Sequence, residues 1–339
     1  MLRASNYNCS LFFLLSWTLF SCKLHSSLDV DKELFSLKKT AEKIQNDFDW
    51  IEKSTKNLAN FTQQLYTRKD YYNKLYNNIK YELCDNGALL KPENDSASSI
   101  FVSGRYQVNN EIMKIVRCTE PLDSAFKSTL KNMSPLIVQE YYIERHDYIR
   151  LYPYVDVLSQ FEPKQDIDNY NVFNLSVFES NPSKSVKLIS DPFVDPAGRG
   201  WMISSVAPVY SNNEMQGVVG IDIAIEAMKE KYLSLDSSNL ILIDSSGNVM
   251  IMNENKTGLL EMPPLKTHKY LEIVKNDEYL SDEYNVLKSK NKEVRDAFFA
   301  LIRNNKNYVT LHIEEDNYYL ISYKIKGLCW YIIRLIKET

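Results

Sequence analysis

The sequence predicts an α+β protein in which a long N-terminal helix carries two lobes, each built on an antiparallel sheet. Leu28 to Leu83 contains neither Pro nor Gly and repeats apolar residues at helical spacing: Leu34, Leu37, Ala41, Ile44, Phe48, Ile51, Leu58, Phe61 and Leu65. Runs of β-branched and aromatic residues joined by short polar turns follow in two sets, one ending near Ala224 and one opening at Asn239. Helical patterning lies beside each set, at Asp123 to Lys131 and Glu226 to Leu233 in the first and at Pro263 to Lys275 and Asn291 to Arg303 in the second.

A helix of about 40–50 residues would be ~60–75 Å long, enough to run along both lobes. "CDNGALLKPENDSASS" interrupts it with Asn-Gly and Pro. Leu136 to Val157 reads as two strands about a turn at Arg145–Asp147, and Ser99 to Val108 as another strand. After a short helix and an Asn-Pro stop, Met202 to Tyr210 and Met215 to Ile223 form a hairpin around Ser-Asn-Asn. The second set opens with "NLILIDSSGNVMIMNE", strand-turn-strand, and closes with three strands: "YVTLHIE", "YYLISYKI" and "CWYIIRLI".

The chain has 339 residues, 44% hydrophobic and 25% charged, the balance of a globular protein of two lobes. Its net charge of −4, with no basic block interleaved with aromatics, points away from nucleic acid as a partner. The first 22 residues differ from the rest. "LFFLLSWTLF" is an apolar core of signal-peptide length, too short for a ~30 Å hydrocarbon layer. Leu19-Phe20-Ser21-Cys22 then resembles a bacterial lipobox, which implies a lipid on Cys22 and an extracytoplasmic, membrane-anchored chain in the periplasm or on the cell surface. No later segment has the length and apolarity of a span, so a tethered chain is expected. An ordinary cleaved signal peptide is the alternative. Cys84, Cys118 and Cys329 remain, an odd number at irregular spacing; a Cys84–Cys118 bridge and buried free thiols both stay open.

"LYPYVDV" (151–157), "DPFVDPAGRGWMISSVAPVY" (191–210) and "GVVGIDIAIEAM" (217–228) together resemble the double Cache family of extracytoplasmic sensors, whose lobes are PAS-like. "LILIDSSGNVM" and "GLCWYIIRLI" resemble the opening and closing strands of that family's second lobe. With the lipoprotein signal peptide read at 1–22, the resemblance implies a carrying helix at 23–83, a ligand-binding membrane-distal lobe at 84–235 and a membrane-proximal lobe at 236–339. In the amino-acid-binding branch the pocket holds a Tyr, an Arg-x-Trp-Tyr, a strand Tyr and a final Asp. Tyr170 could match the first Tyr, Phe178 the Tyr that ends Arg-x-Trp-Tyr, Phe193 the strand Tyr, and Asp222 the Asp. Tyr152 and Asp195, within the resembling blocks, complete the candidate set. Leu175 and Val177 fall where Arg and Trp would stand.

Leu cannot supply the planar fork that holds a carboxylate, so α-amino acids are disfavoured as ligands, while a carboxylate such as Asp222 suits an amine or another small metabolite. The bland alternative is that Asp222 caps the following helix or pairs with a protein donor. Nothing catalytic, no cofactor and no metal is expected: the four histidines are scattered, and nucleotide-binding glycine motifs are absent. The expected function is a lipid-anchored small-molecule sensor that reports to a partner such as a sensor kinase. A lipoprotein delivering solute to a transporter, and a scaffold or adhesion module, are the alternatives. Ligand is expected to enter between the distal sheet and the loop around Asp166–Phe178. Cys22→Ser should release the protein from the membrane fraction and block lipid-dependent processing; unchanged fractionation and processing would contradict the lipid anchor.

Overall fold

The computed structural model describes residues 28–92, 94–133, 136–177, 179–194, 200–233, 239–253, 255–262 and 284–338. Asp29 opens the long helix α1 (Val30–Thr67) by accepting the Lys32 backbone N–H at 3.1 Å, and Asp31 and Glu33 sit in its first turn, where the helix dipole favours acids. Leu37, Ala41, Ile44, Phe48, Ile51, Leu58 and Leu65 form its buried stripe. The helix ends earlier than the sequence reading expects. Beyond Leu65 the stripe stops: α2 (Lys69–Leu75) buries no residue, and Glu82–Leu83 is already strand β1. Composition suits a helix up to Leu83, but without an apolar face the chain has no packing to hold it there.

The first lobe continues with β2 (Leu89–Leu90), β3 (Ser99–Val102), α3 (Asn110–Cys118), α4 (Leu122–Met133), β4 (Ile137–Glu144) and β5 (Tyr148–Tyr152). A short helix α5 (Asn171–Asn174) precedes β6 (Lys187–Val194), β7 (Trp201–Ser211), β8 (Glu214–Ala224) and α6 (Ile225–Leu233). These strands make one antiparallel sheet in the order β1-β2-β3-β5-β4-β8-β7-β6. Both faces of its centre are buried, which is why β8 reads as a nearly unbroken apolar run. Ile203, Ala207, Val209, Val219, Ile221 and Ile223 belong to the core shared with α1. Tyr141, Ile143, Ile149, Leu151, Val206 and Val218 belong to a separate core on the other face, capped by Phe161, Ile167 and Phe173.

The second lobe comprises β9 (Leu240–Asp244), β10 (Val249–Met252), α7 (Asn255–Leu259), α8 (Lys292–Ile302), β11 (Tyr308–Ile313), β12 (Asp316–Ile325) and β13 (Trp330–Lys337). Its sheet runs β10-β9-β13-β12-β11, all antiparallel. α8 packs Phe298, Leu301 and Ile302 with Ile241, Ile243 and Ile333, while Leu242, Ile332 and Trp330 join the core around α1. The helix predicted over Pro263 to Lys275 lies outside the described residues, as does Cys22.

α1 therefore serves both lobes. Phe48 meets Trp330 edge to face at 4.9 Å, Glu33 ion-pairs with Arg334, and the Gly327 N–H donates to Gln45 Oε1 at 2.9 Å. Toward the first sheet, Thr55 shares a hydrogen bond with Ser205 at 2.8 Å and Tyr66 with Tyr142 at 2.7 Å. No helix among the described residues is long and apolar enough to cross a membrane. Cys84, Cys118 and Cys329 are free thiols, and burial pushes the Cys118 thiol up to about 12.

Candidate functional site in the first lobe

On the sheet face turned away from α1, a cavity of about 90 Å³ opens beneath the loop that follows β5. Since ~10–15 Å³ of such space holds one water, this volume accepts a small organic molecule. Its floor comes from Gln139, Tyr141 and Ile143 on β4, Ile149 and Leu151 on β5, Phe193 on β6, Met202 on β7 and Asp222 on β8. Its roof comes from Val155, Gln160, Phe161, Tyr170 and Val172. Asp222 is its one charged lining side chain among the described residues.

The two-residue period of β8 sets Val218, Gly220 and Asp222 toward this side and Val219, Ile221 and Ile223 toward α1. Asp222 is buried and accepts a hydrogen bond from the Ser204 hydroxyl, directly across the ladder on β7. The Tyr141 hydroxyl donates in turn to Ser204 at 3.4 Å. Gly220 makes this possible, because a Cβ there would lie 2.1 Å from the Tyr141 ring. Burial, and then the charge of Asp222, push the Tyr141 phenol well above its ordinary range, so it stays a neutral donor. Asp222 does not cap a helix, since α6 begins three residues later. Gln139, opposite Asp222 in the β4–β8 ladder, is also buried. Gln160 gives its amide N–H to Ser159 at 3.0 Å and leaves its buried carbonyl oxygen without a partner.

The roof is fastened by Asp147, at the left-handed position (φ 55°) of the β4–β5 turn. One carboxylate oxygen accepts the backbone N–H groups of Ile167 at 2.8 Å and Asp168 at 2.9 Å. The other accepts from Arg105 at 2.9 Å, and the same guanidinium pairs with Asp166 and, at 3.5 Å, with Asp168. Burial, with Asp166 and Asp147 beside it, pushes the Asp168 carboxyl up to about 6. Oxygens of these three aspartates lie within 4.8 Å of one another. The Arg105 guanidinium already lies among these three carboxylates.

Of the residues singled out in the sequence, Asp222, Tyr170 and Phe193 come together around the cavity. Tyr152 is corrected: it projects to the helix side with Tyr148 and Arg150, its ring 6.5 Å from Phe126 of α4. Phe178 and Asp195 lie outside the described residues. Leu175 is exposed, and Val177 packs beside the lobe's second core without reaching the cavity. Gln139, Tyr141 and Gln160 line the cavity without any family motif to mark them in the sequence. The alternation in "IVQEYYIE", which puts Gln139 and Tyr141 on one face, was the available signal for the first two.

Residues 118–230, a third of the chain, match the family model described as "Methyl-accepting chemotaxis protein-like, first PDC sensor domain". That stretch, which makes up most of the first lobe, is thus similar to a PDC-type sensor domain, the class to which the sequence resemblance points. No curated protein matches the chain in sequence. Among solved structures, the chain resembles the ligand-binding domain of the Pseudomonas fluorescens chemoreceptor CtaA in complex with L-alanine, at 13% identity and a TM-score of 0.50, covering 91% of this chain and 97% of that one. The same domain with L-isoleucine matches at 13% identity and 0.50, covering 91% and 92%. The extracellular domain of the histidine-kinase candidate soHK1S-Z6 matches at 12% identity and 0.51, covering 91% and 95%. These likenesses extend the shared fold, long helix and two antiparallel sheets, over nearly the whole described chain.

Replacing Asp147 by Ala should free the Ile167 and Asp168 amides and loosen the roof, at a local cost of ~1–3 kcal/mol for the polar groups left unpaired. Hydrogen exchange should accelerate across residues 160–177 while β7 and β8 keep their protection. Unchanged exchange in the loop would contradict the role given to Asp147.

Proposed function

We propose that the chain is a lipid-anchored extracytoplasmic sensor whose first lobe binds a small amine and reports it by contact with a partner protein. The observation that carries this reading is the largely apolar cavity with a carboxylate as its one charged wall among the described residues. A buried carboxylate is costly unless donors or a cation compensate it, and an ammonium group supplies both N–H donors and charge. Asp222 already accepts Ser204, so the ligand would join an arrangement that is in place before it arrives. The Gln139 and Gln160 amides offer further acceptors, and Ile149, Leu151, Phe161 and Met202 surround a short apolar body. An α-carboxylate would face Asp222 with no Lys or Arg among the described lining residues to balance it. The related structures with L-alanine and L-isoleucine support small-molecule sensing by this fold; their ligands are those proteins' own.

Binding would draw the 153–177 loop onto the sheet. Strands β7 and β4 then carry the shift to α1 through the Ser205–Thr55 and Tyr142–Tyr66 hydrogen bonds. No catalytic chemistry is assigned to the site.

A thermal-shift screen of the mature chain against amines, amino acids, carboxylates, purines and sugars tests this reading. An amine at 100 times its Kd should add ~2.7 kcal/mol of stability, a rise of several degrees. Asp222→Ala should abolish that rise, and Gln139→Leu should weaken binding. Hits confined to carboxylates or sugars, or amine binding that survives Asp222→Ala, would contradict it.

A further inference from the structure

Behind the cavity floor, on the face of β4 turned to the helices, Glu140 has no exposed surface and neither carboxylate oxygen has a hydrogen-bond partner. Its ladder neighbours are Tyr152 on β5 and Ile221 on β8. α4 packs across this region and brings no cation to it. Lys127 and Lys131 of that helix are exposed, and Asp123 is held at 2.8 Å by the buried Arg150 guanidinium of β5, which also pairs with Glu120. From α1, Tyr66 meets Tyr142, the next β4 residue on this face, and leaves Glu140 aside. Tyr152 is the one titratable group directly opposite, and it is a neutral phenol pushed upward by burial and then by Glu140 and Asp123.

A carboxylate ion in such a place would be desolvated without compensation. Burial accordingly pushes the Glu140 carboxyl up to about 9; the Thr129 hydroxyl tempers the rise, though its own hydrogen bond runs to the Ala125 carbonyl at 3.1 Å. The neutral acid can stay packed. The ion requires water, and water reaches it when α4 separates from the sheet.

We propose that Glu140 is a proton-dependent latch that lets α4 close on the back of the sensor sheet as the neutral acid and lifts it on ionisation. Gln139 and Tyr141, on either side of Glu140 in β4, form part of the cavity floor, so movement of the latch reaches the cavity directly. This inference goes beyond the ligand reading and holds whatever molecule the cavity takes. The sign follows from the direction of the shift. The folded-state pKa lies above the unfolded one, so the closed form is fully stable at acid pH and loses stability as pH climbs toward about 9.

Hydrogen exchange of α4 in the full chain, corrected for base-catalysed intrinsic rates, tests it across pH 6 to 9. One proton released on opening lowers protection up to ~tenfold per pH unit, and Glu140→Gln should remove that dependence. The same pH dependence in both proteins would overturn the latch. An infrared spectrum of the unsubstituted protein decides the matter if Glu140→Gln does not fold. The carbonyl stretch of a protonated carboxyl group should persist at pH 7.5, where Asp168 has already ionised, and fall to about half near pH 9. Its absence at pH 7.5 would overturn the proposal.

Discussion

Burial of the first sheet on both of its faces is the constraint on which the rest depends. Along β4, Gln139, Tyr141 and Ile143 look toward the cavity, while Glu140, Tyr142 and Glu144 look toward the helices. A one-residue slip would exchange the two sets, placing a carboxyl in the cavity and an amide beneath α4. Partners on both sides prevent it. Tyr142 is fixed by Tyr66 and by an edge-to-face contact with Tyr148 at 6.2 Å, and Tyr141 rests in the space that Gly220 leaves. Register, rather than any single contact, decides which chemistry faces the cavity.

The second consequence concerns transmission. The cavity and α1 lie on opposite sides of the sheet, so nothing bound in the cavity touches the helix that runs to the second lobe. Any signal must pass through the sheet as a small shift of strands. The polar pairs Thr55–Ser205 and Tyr66–Tyr142 are the specific points where it would arrive. From there α1 continues to Phe48–Trp330, Gln45–Gly327 and Glu33–Arg334, contacts that tie it to the second sheet. A helix of 38 residues, ~57 Å at 1.5 Å per residue, is stiff enough to carry a displacement between them.

Much of this architecture is legible in the sequence because it rests on periodicity. The stripe from Leu37 to Leu65 gives α1, and the alternation on both sides of Asn212 and Asn213 gives the β7–β8 hairpin, whose turn residues take left-handed φ values of 51° and 64°. Asp222 draws notice as a carboxylate in a β-branched run. What escapes is what depends on partners distant in sequence. Tyr152 looks like a pocket residue until the β5 register turns it toward Phe126. Asp147 resembles an ordinary turn aspartate, and its purchase on Ile167, twenty residues later, has no local signal. Gln139 and Glu140 are neighbours in sequence, and only the strand register sets the amide toward the cavity and the carboxyl toward the helices.

The central claim is that ligand occupies the first-lobe cavity. The most direct measurement is methyl NMR of the chain labelled at its methionine methyl groups, titrated with the amine selected by the thermal screen. Met202 lies in the cavity wall, whereas Met250 and Met252 are buried in the second lobe. Saturable shifts at Met202, larger than those at Met250 and Met252, are predicted. Saturable shifts that leave Met202 unmoved and appear at the second-lobe methionines would contradict the account.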